Sequence, residues 1–238
     1  MYQGNKTESE DFHILTLAAL AEELMFRGLH EANVTLAVGL PLAWMKSQGA
    51  DFKRYLLKEQ ELHFEFRKER YHVHLCGAEV FPQGFAAIVN LGAMPGMNML
   101  ADIGNGTMNV MQIIDNKPLE KSLVTDKFGV GICMKEIQKE LSKENGEDIP
   151  EMLIEPLLWN GIQGRTDVTA VKVERIAKQY AENIRKRLVD YGYKQGLVHL
   201  YVIGGGGCLL RNYTELTGKA EVTFITDICA NAKGYEYL

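Results

Sequence analysis

The sequence contains no apolar run long enough to cross a membrane and no excess of basic charge. No segment approaches the roughly 18 apolar residues that a span requires, and the N-terminus lacks the basic-then-apolar pattern of a secretory signal. The formal net charge is −5, whereas surfaces that bind nucleic acid usually carry a basic excess. We therefore expect a cytoplasmic protein that binds neither membrane nor nucleic acid directly.

Cysteine is also scarce, and its spacing excludes the common cysteine chemistries. The chain has four cysteines, none of them in a CxxC pair: Cys76, Cys133, Cys208 and Cys229. This spacing favours free thiols in a reducing compartment over disulfides or a zinc site. There is also no GxSxG motif, so nothing indicates a serine hydrolase of that type.

The chain does contain two glycine-rich turns, which begin 100 residues apart at Gly104 and Gly204. The first is Asp102-Ile-Gly-Asn-Gly-Thr107 and the second is Gly204-Gly-Gly-Gly207, and each follows a short apolar run. Glycines at a strand exit let backbone N–H groups approach a ligand closely, and phosphates are the usual ligands of such concavities. The pair of turns predicts a nucleotide held between them.

In the first turn, Asp102 is the candidate for a hydrated Mg²⁺, because this ion prefers one or two carboxylates together with phosphate oxygens. The amides and the hydroxyl of the following residues would bind terminal phosphate oxygens: Gly104, Asn105, Gly106 and Thr107. The alternative interpretation is that Asn105-Gly106 is only a hairpin turn, a role that this dipeptide also fits.

In the second turn, four glycines permit a flat ligand to lie against bare backbone while the next helix N-terminus faces its phosphates. The residues concerned are Gly204, Gly205, Gly206 and Gly207. The alternative is that they only allow tight packing between a strand and a helix.

Two further polar groups have open interpretations. Glu79 lies between a predicted strand and Pro82, which is expected to begin a helix. The carboxylate could orient or deprotonate an attacking water, or it could simply face the helix dipole. His72 and His74 share one strand face and could bind a metal, but without an evident third ligand they favour exposed strand histidines.

Alternating periodicities predict an α/β chain. The predicted helices cover residues 14–25, 52–58, 82–89, 149–159, 168–191 and 209–216, with another introduced by Gly129-Val-Gly131. The predicted strands cover residues 34–38, 62–66, 71–75, 100–103, 107–114, 198–203 and 222–225. Residues 91–98, which contain two glycines and a proline, are the expected link between domains.

The order of these motifs resembles that of the bacterial actin-like ATPases, the family of plasmid-partitioning filament proteins (ParM, StbA-like). The similarity extends from about residue 11 to the C-terminus and rests on five segments in the family's order. They are the helix at 14–25 with the Val34–Leu42 strand and turn, Gly77–Gly84, Asp102–Thr107, Val202–Gly207 and Asn231–Tyr235. In the family these are a helix and strand, a first connecting segment, the second phosphate loop, the adenosine motif and a second connecting helix.

The resemblance implies an actin-like (ribonuclease H-like) two-domain ATPase fold. Residues 1–98 would be what is present of domain I, 99–225 would be domain II, and 226–238 a helix returning to domain I. It implies ATP or GTP with Mg²⁺ as ligands, Glu79 and Asp102 as catalytic residues, and self-assembly for plasmid or DNA segregation with a DNA-bound adaptor. A sugar kinase or chaperone-type ATPase of the same superfamily is the alternative, although such chains are generally longer.

One family feature is missing from this sequence. The family begins with a strand hairpin bearing a first phosphate loop, Asp-x-Gly followed by small polar residues, and no such segment is present. We therefore expect a truncated first subdomain, with ATP hydrolysis belonging to a complete form of the protein. The alternative is a non-catalytic interaction module of the same fold. Unpaired sheet edges in such a subdomain also predict self-association.

Overall fold

The computed structural model describes residues 10–227 and 229–236. The helices are α1 (Glu10–Arg27), α2 (Leu42–Leu56), α3 (Val130–Asn145), α4 (Glu151–Asn160), α5 (Val168–Asp190), α6 (Gly205–Tyr213) and α7 (Ala230–Tyr235). The strands are β1 (Glu31–Leu40), β2 (Glu61–Phe66), β3 (Glu69–Pro82), β4 (Met97–Ile103), β5 (Met108–Ile114), β6 (Lys117–Pro118), β7 (Val124–Asp126), β8 (His199–Ile203) and β9 (Val222–Ile225). A 3₁₀ segment, Phe85–Leu91, connects β3 to β4. Within these described ranges, no helix combines the length and the apolar character that a bilayer span requires.

The N-terminal sheet has three strands in the order β1-β3-β2. β1 and β3 are parallel, with Glu31 opposite His72 and Leu40 opposite Pro82. Helices α1 and α2 cover one face through a core that includes Leu24, Phe52, Leu62, Val73 and Leu75. The predicted strand at 34–38 is confirmed within β1, but it is only half-buried rather than buried, because β1 lies at the edge of this sheet.

The predicted hairpin at 62–75 is confirmed as β2 and β3, and its turn forms without glycine. Arg67 and Lys68 both have positive φ, 51° and 72°, which is the conformation of a two-residue type I′ turn. This conformation costs a non-glycine residue about 1–2 kcal/mol. Cross-strand stacking of Phe64 on Tyr71, at 5.7 Å between ring centroids, offsets part of that cost.

The C-terminal sheet follows the order β6-β5-β4-β8-β9, and β7 pairs with β5. The predicted pairing of 100–103 with 107–114 is confirmed as the β4–β5 hairpin. Side chains of α3 to α6 pack on one face of this sheet with Met99, Ala101 and Val202. The opposite face, with Leu100 and Tyr201, is covered by the 3₁₀ segment. The sheet is therefore buried on both sides, which explains its long apolar strands.

Three predicted helix starts are wrong, and each has a local reason. Helix α2 begins at Leu42, ten residues before the predicted start, because Pro41 serves as its N-cap. Pro82 starts no helix, since it is still paired with Leu40 in the sheet. Helix α6 begins inside the glycine run at Gly205 rather than at Leu209.

Helix α7 joins the C-terminal sheet to the N-terminal one. It follows β9, and its Tyr235 ring stacks on Phe81 of β3 at 5.3 Å between centroids. The Asn231 side-chain oxygen accepts a hydrogen bond from the Gly84 amide at 2.8 Å. Gly234 is buried so closely on the 3₁₀ segment that a Cβ there would overlap the carbonyl oxygen of Ala86. This short helix thus packs against the segment that connects the two sheets.

We predict that Gly234→Ala destabilises the fold by about 1–3 kcal/mol, the usual range for overpacking. The added methyl must displace the backbone at Ala86, which has no flexible side chain to move aside. Urea denaturation monitored by circular dichroism measures the change. The matched control is Gly49→Ala in α2, where a Cβ meets nothing within 4 Å. There, the better helix propensity of alanine should add up to about 1 kcal/mol. Equal stability of the two variants would contradict the proposed role of Gly234 as a contact point.

Candidate functional site

The structure brings the two glycine turns to one edge of the C-terminal sheet. β4 and β8 are adjacent and parallel, and Asp102 lies opposite Ile203. Gly204 follows directly, with φ +79°, and a Cβ there would come 2.6 Å from the Ile103 carbonyl oxygen and 3.1 Å from the Asp102 carboxylate. Because carboxyl ends of neighbouring parallel strands form the usual ligand crevice of α/β sheets, this edge is the candidate site.

Asp102 lies within β4 and is oriented toward the N-terminal sheet. Its side chain shares the face of Leu100, which the 3₁₀ segment covers. It lines a narrow cleft of about 20 Å³, whose other walls come from both sheets and include Pro41, Gln83, Asn109 and Thr125. Burial raises the pKa of Asp102 to about 6. Within residues 10–227 and 229–236, no hydrogen-bond donor or cation is recorded at this carboxylate, so nothing offsets the burial.

The first glycine turn is a hairpin turn, and it also has backbone amides that a phosphate could bind. Residues 104–107 form the β4–β5 hairpin tip, where the Gly104 amide donates to the Thr107 carbonyl at 2.9 Å. The carbonyls of Gly104 and Asn105 accept from Val130 and Gly131, at 3.0 and 2.9 Å, at the start of α3. The amides of residues 105–107 have no acceptor recorded in the described part of the chain, and Asn105 and Gly106 are exposed. The hairpin is thus fixed by its carbonyls and leaves amides available to a ligand.

A set of side chains from α5, which the sequence reading missed, supports this hairpin. The buried Tyr180 hydroxyl donates to the Gly129 carbonyl at 2.7 Å, and its ring stacks on Phe128 at 4.5 Å. The Arg187 guanidinium lies 4.0 Å from the Phe128 ring and 2.5 Å from the Asp126 carboxylate. Helix α5 therefore positions residues 126–131, which in turn hold the hairpin tip. Only the apolar periodicity of α5 was visible in the sequence, and it does not identify these partners.

The second turn is a helix start rather than an open loop. Gly204 is the N-cap of α6, and the other three glycines form its first turn. Gly206 is buried so closely on β4 that a Cβ would overlap the Ile103 side chain, whereas a Cβ on Gly205 would lie 3.0 Å from the Trp159 ring. Gly207 is buried as well, but Gly204 and Gly205 are exposed. The packing interpretation therefore explains Gly206, and only the first two glycines present open backbone at the site edge.

Glu79 lies within β3, not before a helix, so its interpretation as a helix-start acid is wrong. Its side chain is 63% exposed, and its carboxylate is 3.0 Å from the Lys53 ammonium on α2. Among the contacts of the described residues, none joins this carboxylate to Asp102. Alternation along the strand places Glu79 on the same face as Phe81, which stacks on Tyr235. Lys53 had no distinguishing signal in the sequence.

Tyr235 of α7 lies between Asp102 of the C-terminal sheet and β1 of the N-terminal sheet. Burial, and then the nearby Asp102 charge, raise the pKa of Tyr235 to about 12. Its hydroxyl lies so close to β1 that a Cβ on Gly39 would overlap it. Tyr235 therefore remains a neutral phenol near the buried carboxylate. The sequence indicated it only as part of the 231–235 segment.

Two kinds of comparison with known proteins point to actin-like proteins: a family match in the N-terminal part of the chain, and relatives that are similar in sequence. Residues 2–85 match the family described as actin like proteins N terminal domain. An archaeal actin homolog of Thermoplasma volcanium is 29% identical over 171 residues, 65% of this chain and 52% of its own. The chain thus spans about half the length of the curated relatives that it matches.

Solved structures extend the similarity to nearly the whole chain. The archaeal actin homolog Ta0583 in complex with ADP has a TM-score of 0.70 at 24% identity, covering 95% of this chain and 76% of that one. Bacillus thuringiensis ParM with ATP has a TM-score of 0.75 at 14% identity, covering 99% and 74%. A 15-stranded ParM filament from Clostridium botulinum has a TM-score of 0.69 at 21% identity, covering 99% and 75%. Residues 2–85 thus match the N-terminal domain of actin-like proteins, and the chain as a whole has the actin-like fold of archaeal actin homologs and ParM.

Proposed function

We propose that this chain binds a Mg²⁺–nucleoside triphosphate, ATP or GTP, at the edge where the two glycine turns meet. The observation that carries the proposal is the Asp102 carboxylate, which is partly buried, lies beside Gly204 and has no partner among the residues that the structure describes. A carboxylate in that state gains most from a nearby cation. The solved relatives in complex with ADP and with ATP support a nucleotide as the ligand.

The residues at this edge match the parts of a triphosphate. The hairpin amides of residues 105–107 and the Thr107 hydroxyl suit phosphate oxygens, and Asp102 would hold a hydrated Mg²⁺ through water, as this ion prefers. The α6 N-terminus adds its positive dipole end to the same edge. Gly204 and Gly205 leave bare backbone for the flat part of the nucleotide. Tyr235 can donate a hydrogen bond because its pKa of about 12 keeps it protonated.

Glu79 is the candidate for orienting an attacking water in ATP hydrolysis. In the structure its carboxylate is paired with Lys53 at 3.0 Å, and activation of water would require that pair to open. The pair therefore also favours a second candidate function, nucleotide binding without turnover. A single substitution at Glu79 separates the two.

We further propose that the chain polymerises in the cytoplasm and acts in plasmid or DNA segregation, with a DNA-bound adaptor as partner. The ParM relatives, one of them solved as a filament, support polymerisation. Helix α1 also presents exposed apolar side chains, with Phe26 at 87%, Leu15 at 66% and Ile14 at 59% exposure. An exposed apolar strip of this kind is a common feature of protein–protein contacts.

We predict that Asp102→Ala weakens Mg²⁺–ATP binding at least tenfold and abolishes ATP-dependent polymerisation. The reason is the loss of the Asp102 carboxylate that would hold the hydrated metal. Isothermal titration calorimetry measures binding, and light scattering measures assembly. Asp190→Ala at the exposed end of α5 is the control, since it removes the same charge far along the chain from the site. Wild-type binding and scattering by the Asp102 variant would overturn the proposed site.

We predict that Glu79→Gln leaves the Kd for Mg²⁺–ATP within about twofold of wild type and lowers phosphate release by about 10²-fold, as expected for loss of a general base. Lys53→Met is the matched variant, since it frees the Glu79 carboxylate and should preserve or raise turnover. Phosphate release is measured under single-turnover conditions. Absence of turnover in the wild-type chain, together with tight binding, would instead select the binding-only function.

We predict that Asp102→Asn stabilises the nucleotide-free protein by about 2–3 kcal/mol at pH 7.5. The pKa of Asp102 is raised from 3.8 to about 6 in the folded state. The native state therefore binds the proton more tightly, and wild-type stability falls as pH rises from 3.8 through 6. The gain from asparagine should shrink to near zero at pH 4. Urea titrations at pH 4, 6 and 7.5, with Asp190→Asn as control, measure this profile. Destabilisation by asparagine at pH 7.5 would contradict an unpaired buried carboxylate.

A further inference from the structure

The outer face of the N-terminal sheet carries a compact group of histidines around one glutamate. Pairing of β2 with β3 sets His63 opposite His72 and Glu61 opposite His74. The two oxygens of Glu61 lie 2.9 Å from His72 Nε2 and 2.5 Å from His74 Nδ1. The rings of His63 and His72 are stacked, with centroids 4.3 Å apart. The neighbouring strand β2 therefore adds Glu61 and His63, which the sequence did not reveal, to the histidines of β3.

We propose that Glu61, His63 and His72 form a binding site for a divalent transition metal ion of the zinc or nickel class. One ligand atom from each of the three residues lies within 4.8 Å of the other two. Zinc–nitrogen and zinc–oxygen bonds are about 2.0–2.2 Å, which places two tetrahedral ligands about 3.4 Å apart. Shifts of about 1 Å in side chains at the surface therefore bring the three atoms to coordinating distance.

Binding of a metal ion requires one of the two stacked histidine rings to rotate. The His63 and His72 planes differ by only 7°, so their lone pairs point along nearly parallel lines. At least one ring must turn about its Cβ–Cγ bond to share a metal with the other. That torsion has a broad, shallow energy profile, and the His72 side chain is 41% exposed, so the rotation meets little resistance.

The Glu61 carboxylate already lies against both histidines of β3, with His72 Nε2 at 2.9 Å and His74 Nδ1 at 2.5 Å. His74, bound to the other oxygen of Glu61, would orient the carboxylate as an outer-shell partner. Glu31, opposite His72 on β1, adds negative charge across the same face.

The ligand types separate this site from the magnesium site proposed at Asp102. Two imidazoles and a carboxylate suit zinc, nickel or copper, whereas Mg²⁺ prefers oxygen ligands and retained water. The metal would also link β2, the edge strand of its sheet, to the central strand β3. It would then cross-link the two strands of the hairpin and stabilise the edge strand of the sheet.

Equilibrium dialysis of the untagged 238-residue chain against Zn²⁺, with millimolar Mg²⁺ present, tests the proposal. We expect one equivalent of Zn²⁺ bound, at least tenfold weaker binding in His63→Ala and in His72→Ala, and a melting temperature raised by Zn²⁺ in the wild type only. His13→Ala on α1 is the control of the same residue type and should bind like wild type. With Cu²⁺ as a probe, nitrogen hyperfine splitting should report two imidazoles, falling to one in either variant. No bound equivalent, or His63→Ala and His72→Ala that bind like wild type while their circular dichroism is native, would overturn the site.

Discussion

The parallel pairing of β4 with β8 is the constraint on which the candidate site depends. It joins residues 98–102 to residues 199–203, so the two glycine turns meet through a contact between distant parts of the sequence. Helices α3 to α6 pack on one face of that pair, and the 3₁₀ segment packs on the other. Loop closure over so long a segment is costly and is recovered only when the apolar faces are covered. The site is consequently a product of the complete sheet and not of either turn alone.

Close backbone packing then fixes the turns on that frame. Gly206 sits directly on Ile103, and Gly129 sits against the backbone of residues 105–106. A side chain at Gly206 would push α6 away from β4, and one at Gly129 would push the hairpin away from the start of α3. Glycine in these motifs therefore has two separate functions, since Gly206 permits close packing of α6 on β4, whereas Gly106, Gly204 and Gly205 are exposed and offer open backbone. A glycine-rich motif by itself does not distinguish these functions, because neither contact is local in sequence.

The sequence predicted elements whose signal is periodic and local, and it missed what depends on partners. The long helix α5, the β4–β5 hairpin and β8 follow directly from apolar spacing and were predicted within a few residues. Pro82 was misread because the pairing that extends β3, with Leu40, comes from a distant strand. The same reason applies in the site. Asp102 was found from its position at a strand end, whereas Tyr180 and Lys53 act through contacts 51 and 26 residues away.

The two candidate ion sites show opposite electrostatic conditions, and this difference decides which ion each prefers. At Asp102 the carboxylate is partly buried, has no partner in the described part of the chain and has a raised pKa, so its environment disfavours the bare charge. A hydrated hard cation with phosphate oxygens would replace the favourable interactions with water that the carboxylate loses on burial. At Glu61 the carboxylate is exposed and already lies within hydrogen-bond distance of two imidazole nitrogens. A metal there gains little from the carboxylate charge alone and must gain from the nitrogen ligands, which favour transition metals over magnesium. Two carboxylates in one chain are thus directed toward different ions by burial and by their neighbours.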